Sequence, residues 1–444
     1  MGERLGALLP GWPVTRAGNV RAAMSALWHP FGDMSAVTGK EVVLERGEGV
    51  WVWDEDGNRY LDGSASLWYC NVGHGRREIV DAIHMQLTQL EAYHVFGDYA
   101  TRPALELADR LAALAPEPGS KVFLTSGGAD SIEGAAKLAR LHHAGRGEPG
   151  RRHLISRESG YHGTHGIATS ILGMPYRSGF EPLVQETSQV AHDSVAALEA
   201  EILLLGPETV AAFVFEPVIG AGGVRPPAPG YLEGVERLCR EHGILTIADA
   251  VICGFGRLGT WFGVERYGLQ PDLLVFAKGV TSGYLPLGGV IAAPSVADAF
   301  WRPGGPVFLH GPTYSGHAAC CAAALANIEL LDRDGLVGRA KELEGDFHER
   351  LATLESHALV AEVRGGVGLM AAVGLAPDLL ERQPAAPGRF LEHARAAGVL
   401  TRRVPDGLAL APPLTIEDEH VELAVDALGR ALDALSREAD ALTS

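Results

Sequence analysis

Between residues 121 and 278, short and almost wholly apolar runs alternate with stretches of helical period, and this alternation constrains the fold more than any other feature. The runs are KVFLT (121–125), RHLIS (152–156), TVAAFVFEP (209–217), ILTIAD (244–249) and DLLVFAK (272–278). A strand with one wet face alternates apolar and polar residues, whereas a strand covered on both faces reads as a continuous apolar run. Helical patterns separate the runs, one starting near Gly128 and another spanning GYLEGVERLCREHG (230–243). The order predicts an α/β chain built on a mostly parallel central sheet.

The flanks read differently. EVVLERGEGVWVWDEDGNRYLDG (41–63) alternates around glycine-rich turns and predicts short antiparallel strands. REIVDAIHMQLTQL (77–90) and ALELADRLAAL (104–114) have helical spacing, as does 321–354 with an interruption at Gly335. Strand character at 360–374, a helix at 389–399, a strand pair around 400–410 and a helix at 421–435 complete a smaller α+β unit, with 376–388 expected as a loop. The expected division is 1–75 as an N-terminal segment serving the small domain and subunit contacts, 76–325 as the large domain, and 326–444 as the C-terminal α+β domain. With 444 residues the chain is long enough for at least two domains.

Composition removes several classes of partner. Lys and Arg number 37 against 55 Asp and Glu, a net charge of −18, which is unsuited to binding a nucleic-acid backbone. Apolar runs stop well short of a membrane span. The first residues lack a basic segment followed by a sustained apolar run, and the five scattered cysteines form no C-x-x-C pair. A reduced, cytoplasmic setting is the expectation.

Two residues that each end an apolar run carry the chemistry. Asp249 and Lys278 would both lie at the C-terminal edge of a parallel sheet, where open α/β folds bind ligands. Alone, either would ordinarily be a cap or a solvated charge. Together they combine an amine able to form an imine with an aldehyde and a carboxylate able to keep a pyridine nitrogen protonated, the two requirements of pyridoxal 5'-phosphate. TSGGAD (125–130) places Ser126, Gly127 and Gly128 ahead of a helix, suited to a phosphate. Thr313, in HGPTYSGH (310–317), is a second candidate phosphate contact. Tyr161 offers an aromatic face to a cofactor ring with His162 beside it, or the loop packs at a domain seam. His162 and His165 lack the further ligands of a metal motif, so no metal is expected.

These stretches, with YLDGSASLWYCNVGHG (60–75), FEPVIGAGG (215–223), IADAVICGFGRLG (247–259), FAKGVTSGYLPLGG (276–289), YSGHAACCAAALANIE (314–329) and APPLTI (411–416), resemble in order the class III, or subgroup II, aminotransferases of pyridoxal-phosphate fold type I, specifically the omega-transaminases. The resemblance implies an imine of the cofactor at Lys278, a carboxylate–pyridinium contact from Asp249, and phosphate contacts from Ser126, Gly127 and Gly128. It implies ring contacts from Tyr161 and Val251, Thr313 supplied by the neighbouring subunit of a homodimer or dimer of dimers, and Glu216 near the site with a role in holding a mobile arginine. Arg402 resembles that arginine, with the adjacent Arg403 as the competing assignment. Trp68 and Phe96, with Tyr161, would line an apolar amine pocket or else belong to the core.

The sequence departs from the family pattern at Ala250, where an acid is common, at Gly128, where a second serine is usual, and at Ile252, where many members carry Gln. The expected reaction is amino transfer from an amine or omega-amino acid to a keto acid, with pyruvate as the expected acceptor. An aminomutase, a decarboxylating relative and a non-catalytic binder of the same cofactor remain open on the sequence.

Overall fold

The computed structural model describes residues 26–443, so the start of the chain, including the segment read for an export signal, lies outside the described residues. Fifteen strands are described among them: β1 (Leu44–Glu48), β2 (Trp51–Asp54), β3 (Arg59–Asp62), β4 (Lys121–Thr125), β5 (His153–Arg157), β6 (Thr187–Val190), β7 (Val210–Phe215), β8 (Leu245–Asp249), β9 (Leu273–Phe276), β10 (Gly288–Ala292), β11 (Val360–Arg364), β12 (Ala371–Leu375), β13 (Val399–Leu400), β14 (Arg402–Val404) and β15 (Gly407–Leu410).

The apolar runs become the interior of one seven-stranded sheet, ordered β4-β10-β9-β8-β7-β5-β6. Every residue of β7, β8 and β9 is buried, as continuous apolar composition requires of strands covered on both faces. β5 through β9 pair in parallel, and β10 runs antiparallel between β4 and β9. Because β4 and β9 both oppose β10, the C-terminal ends of β4, β5, β7, β8 and β9 share one edge.

Helices Gly128–Gly145 and Tyr231–His242 are among those flanking the sheet strands in sequence. Tyr231–His242 ends at Gly243 in the left-handed conformation, φ 65°, and Gly335 at φ 65° separates helices Ala318–Arg333 and Leu336–Ala352. A second, antiparallel sheet orders β11-β12-β15-β14, and the two-residue β13 pairs in parallel with β3, with Val399 opposite Leu61. The smaller α+β domain therefore draws on both ends of the chain. The segment 376–388 is not the expected loop: helix Pro377–Arg382 occupies its first half and helix Ala386–Ala396 starts before its end. Pro377 and Pro387 sit in the first turns, where the missing N–H costs nothing.

By compactness, residues 26–46 with Trp53–Asn58 form a small unit, and Gly47–Val52 with residues 59–443 a large one. In the small unit, Asp33 caps the turn Met34–Val37 by accepting from Ser35 N, and the Arg46 guanidinium lies 3.5 Å from the centre of the Trp53 ring. Every candidate site residue belongs to the large unit.

Candidate active site

The shared edge of the sheet collects the chemistry. Asp249 is the last residue of β8, Lys278 follows β9 by two residues, Glu216 follows β7, and the loop carrying Tyr161 and His162 follows β5. Asp249 is only 4% exposed, and each of its oxygens is held: His162 Nδ1 lies 2.8 Å from Oδ2, and Val251 N donates to Oδ1 at 3.1 Å. His162 Nε2 is buried with no hydrogen-bond partner among the described residues. Imidazole and carboxylate thus form a buried pair whose orientation leaves little freedom to either.

Lys278 is half-buried beside this pair, its Nζ 5.9 Å from the centre of the Trp68 ring. Burial pulls its affinity for a proton below the usual lysine range, against the opposing pull of the Asp249 and Glu216 charges. The backbone at Lys278 is left-handed, φ 48°, a conformation unusual for a residue with a side chain and concentrated at functional sites.

Glu216, 3% exposed, is raised by burial, and its two oxygens accept from the backbone N–H groups of Tyr161 (3.0 Å) and Gly220 (2.9 Å). It therefore ties the loop after β5 to the loop after β7. Behind it, the fully buried Arg157 donates to the Glu216 carbonyl at 2.8 Å and to His192 O at 2.8 Å. Arg157 was not singled out in the sequence, where it looks like one more arginine after a strand.

The helix Gly128–Gly145 begins at this same edge, so its free N–H groups and positive dipole end face the Asp249 side. A Cβ at Gly127 would meet nothing within 4 Å, whereas one at Gly128 would come within 3.1 Å of the Val251 side chain. The glycine that replaces a serine here is explained by that approach: Val251, two residues beyond Asp249, occupies the space. An anion at the helix start and an aromatic nitrogen at Asp249 would be two ends of one molecule lying over Val251. Pyridoxal phosphate has that shape, and the Lys278 amine would be the partner for its aldehyde.

Tyr161 and Arg402 join this cluster: the Arg402 charge acts on both Tyr161 and Lys278. Arg402 lies on β14, and the neighbouring Arg403 instead brings NH1 to 3.8 Å from the position of a Cβ on Gly388, on the helix Ala386–Ala396. Trp68 is 3% exposed and packs with Val218, Ile252 and Cys253. Phe96 is 47% exposed and lies with Tyr99, Phe123 and His310 around a cavity of about 810 Å³, and Thr313 is exposed on the following loop. The two histidines of 162–165 point to different carboxylates, His162 to Asp249 and His165 to Asp130.

Known proteins share both sequence and architecture. The family model described as aminotransferase class-III matches residues 34–432. The chain is 36% identical to the putrescine–pyruvate aminotransferase of Pseudomonas aeruginosa, covering 88% of this chain and 91% of that protein. It is also 36% identical to the diaminobutyrate–2-oxoglutarate transaminase of Halomonas elongata, over 88% of this chain and 90% of the other. Among solved structures, an amine transaminase from an uncultivated Pseudomonas species in its pyridoxal-phosphate-bound form superposes with a TM-score of 0.89 at 38% identity, covering 93% and 99% of the two chains. A thermostable (S)-enantioselective omega-transaminase from Thermomicrobium roseum does so with a TM-score of 0.88 at 40% identity, over 92% and 96%. On this agreement the chain belongs to the class-III aminotransferases and is a pyridoxal-phosphate enzyme.

Proposed function

We propose that this enzyme is an omega-transaminase that takes an amino group from a primary amine or omega-amino acid and delivers it to pyruvate. The observation that carries the reading is the position of Arg402: its charge acts on Tyr161 and Lys278, and among the described residues it forms no ion pair. A free guanidinium at the pocket suits a carboxylate-bearing acceptor, while Trp68 and Tyr161 offer apolar surface to an amine without one. The putrescine–pyruvate and omega-transaminase relatives support the same pairing.

Bound pyridoxal phosphate supplies an aldehyde for imine formation and a protonated ring that accepts electrons. The chain supplies the rest. Ser126, Gly127 and Gly128 would hold the cofactor's phosphate at the helix start, and Tyr161 and Val251 would hold its ring. Asp249 would keep negative charge at the ring nitrogen, with His162 Nδ1 holding that carboxylate in place. Lys278 Nζ, its proton affinity lowered by burial, would accept the proton that leaves the donor carbon and give it back later in the transfer. The buried Trp68 beside Nζ excludes water from that exchange.

The large domain is taken as 76–325 and the C-terminal domain as 326–444, with 1–75 serving the small domain and subunit contacts. A second copy of the chain would cover the exposed apolar face around Phe96, Tyr99, Leu309 and Tyr314 and bring its Thr313 to the phosphate. The five cysteines are all free thiols and all buried, which supports a reducing compartment, the cytoplasm. No described helix is long and apolar enough to cross a membrane.

The test is purified holoenzyme incubated with an amine and pyruvate. Stoichiometric alanine and a new carbonyl compound are expected. Carbon dioxide release, or an isomerised amino acid without alanine, would overturn the reading in favour of a decarboxylase or an aminomutase.

A further inference from the structure

The wall facing Lys278 is built on a strained turn. Ala65, Ser66 and Trp68 all have left-handed backbones, with φ 45°, 60° and 61°, and Ser66 combines its φ with ψ −94°, a pairing a side chain disfavours. No glycine occupies these positions, so something outside the local backbone must hold the turn.

Asp62 is that something. It is 2% exposed, at the end of β3, and both its oxygens reach the Ser66 N–H, at 2.9 and 2.7 Å. Oδ1 also accepts from Ser64 N at 3.3 Å, and Oδ2 lies 2.8 Å from His74 Nε2. His74 is itself fixed through its backbone, exchanging hydrogen bonds with Gly49. The carboxylate therefore gathers four donors from two segments, the Ser64 hydroxyl among them, and the shortest contact from the turn itself is to its least favourable residue, Ser66.

What the turn delivers is contact with the catalytic loop. Trp68 comes to 5.9 Å from Lys278 Nζ, and a Cβ on Gly220 would meet its Cζ3 at 2.9 Å. The next residue, Tyr69, packs its ring on Gly283, and Asn71 Nδ2 would lie 2.6 Å from a Cβ on Gly279. Gly279 directly follows Lys278 and Gly283 lies on the same loop, so the turn and the lysine loop are fitted to each other. Trp68 Nε1 makes no hydrogen bond among the described residues, so the indole is kept in place by packing and by its backbone alone.

We infer that Asp62, oriented by His74, is a positioning residue for amine selectivity: it clamps the 64–68 turn and thereby sets the place of the Trp68 wall. Asp62 touches neither substrate nor cofactor. The inference rests on Trp68 lining the amine pocket, and the experiment separates the two claims.

The holoenzymes of wild type, Asp62→Asn, Trp68→Ala and the double variant are compared in the ratio of kcat/KM for 1-phenylethylamine to that for isopropylamine, with pyruvate saturating. Asp62→Asn removes the charge and replaces one of the two oxygens that accept from the Ser66 N–H by an N–H₂ group, which cannot accept. It is expected to shift the ratio at least about tenfold in the same direction as Trp68→Ala, and to add less than about twofold in the double variant, since the two act through one group. Loss of folding alone would lower both rates together and leave the ratio unmoved.

A ratio within about twofold of wild type in Asp62→Asn, with Trp68→Ala shifted, overturns the inference and leaves the pocket reading standing. An unmoved ratio in Trp68→Ala overturns both. Independent, multiplicative shifts also overturn the inference, because Asp62 would then act elsewhere. If Asp62→Asn does not fold, His74→Ala carries the same test: the imidazole is partly exposed, and its removal frees Asp62 to rotate. A shift of at least about threefold that vanishes in the Trp68→Ala background is then expected, and an unmoved ratio overturns the inference.

Discussion

Burial gives Asp249 and Lys278 their meaning. An aspartate after a strand is commonplace, but one that is 4% exposed, gripped by an imidazole at 2.8 Å and by the Val251 amide, is a fixed negative charge aimed at a partner. Asp249→Asn removes the charge and keeps the shape, and kcat is expected to fall by roughly 100-fold or more, the scale of a lost acid–base contribution. A steady-state assay checks this, and retention of wild-type kcat would remove Asp249 from the reaction. Arg402→Ala is expected to slow the pyruvate half-reaction at least about tenfold more than the amine half-reaction, the loss of one charge-assisted contact. Stopped-flow absorbance of each half separates them, and the same selectivity in Arg403→Ala instead would reassign the role. The place of Asp249 and Lys278 at one sheet edge was legible in the sequence because each closes an apolar run. His162 as the grip on Asp249, 87 positions away, was not, since only the fold brings the ends of β5 and β8 to one edge. The place of Glu216 after a sheet strand was legible through its motif, but sequence held no sign that its oxygens are taken up by the amides of Tyr161 and Gly220.

Strands that are apolar throughout announced themselves, and those that are not stayed silent. β7, VAAFVF, is buried at all six positions, and Phe213 at its middle is fully buried. Phe213→Ala is expected to cost about 3–5 kcal/mol, a transfer loss plus a cavity in the sheet that carries Glu216. Urea unfolding of the cofactor-free protein checks the figure, and a cost below about 1 kcal/mol would mean that the strand repacks freely. β6, TSQV, has only one buried residue, so its pattern offers no apolar run to find. β10 begins with two glycines, and both are required by their neighbours: a Cβ on Gly288 would meet Gly127 O at 2.7 Å, and one on Gly289 would meet Phe123 O at 2.7 Å. Close packing at the cofactor edge thus erased the local signal of the strand that interrupts the parallel order. Helix Pro377–Arg382 was hidden for the opposite reason, because proline and alanine suggest a loop unless the prolines fall in first turns.

Across the whole molecule, the fold lowers the proton affinity of Lys278 by burying it, and folding and titration are linked. The unfolded chain holds that proton up to the ordinary value of 10.5, while the folded chain releases it earlier. Between those two values the unfolded state binds more protons, so this group's contribution to stability rises with pH. Cofactor-free wild type is therefore expected to gain stability relative to Lys278→Met as pH is raised from neutrality toward 10.5, measured by urea unfolding. A difference that shrinks over that range would contradict the burial argument. The change of rhythm from strand–helix alternation to long helices, near Ala318–Arg333, was legible at this scale. The parallel pairing of β13 with β3, which joins the two ends of the chain, was not legible, since two residues of strand carry no periodicity.

The central claim is that Lys278 both holds the cofactor and moves the proton in amino transfer, and single-turnover absorbance tests it most directly. Wild-type holoenzyme mixed with 1-phenylethylamine without pyruvate should lose its imine-linked band and release one ketone per active site, and pyruvate added next should restore the band and yield one alanine. Lys278→Ala, loaded with the same cofactor, should lack the lysine-linked band at the outset and carry out neither half-reaction at a measurable fraction of the wild-type rate. A Lys278→Ala enzyme that shows the band and completes both half-reactions at the wild-type rate would contradict the account.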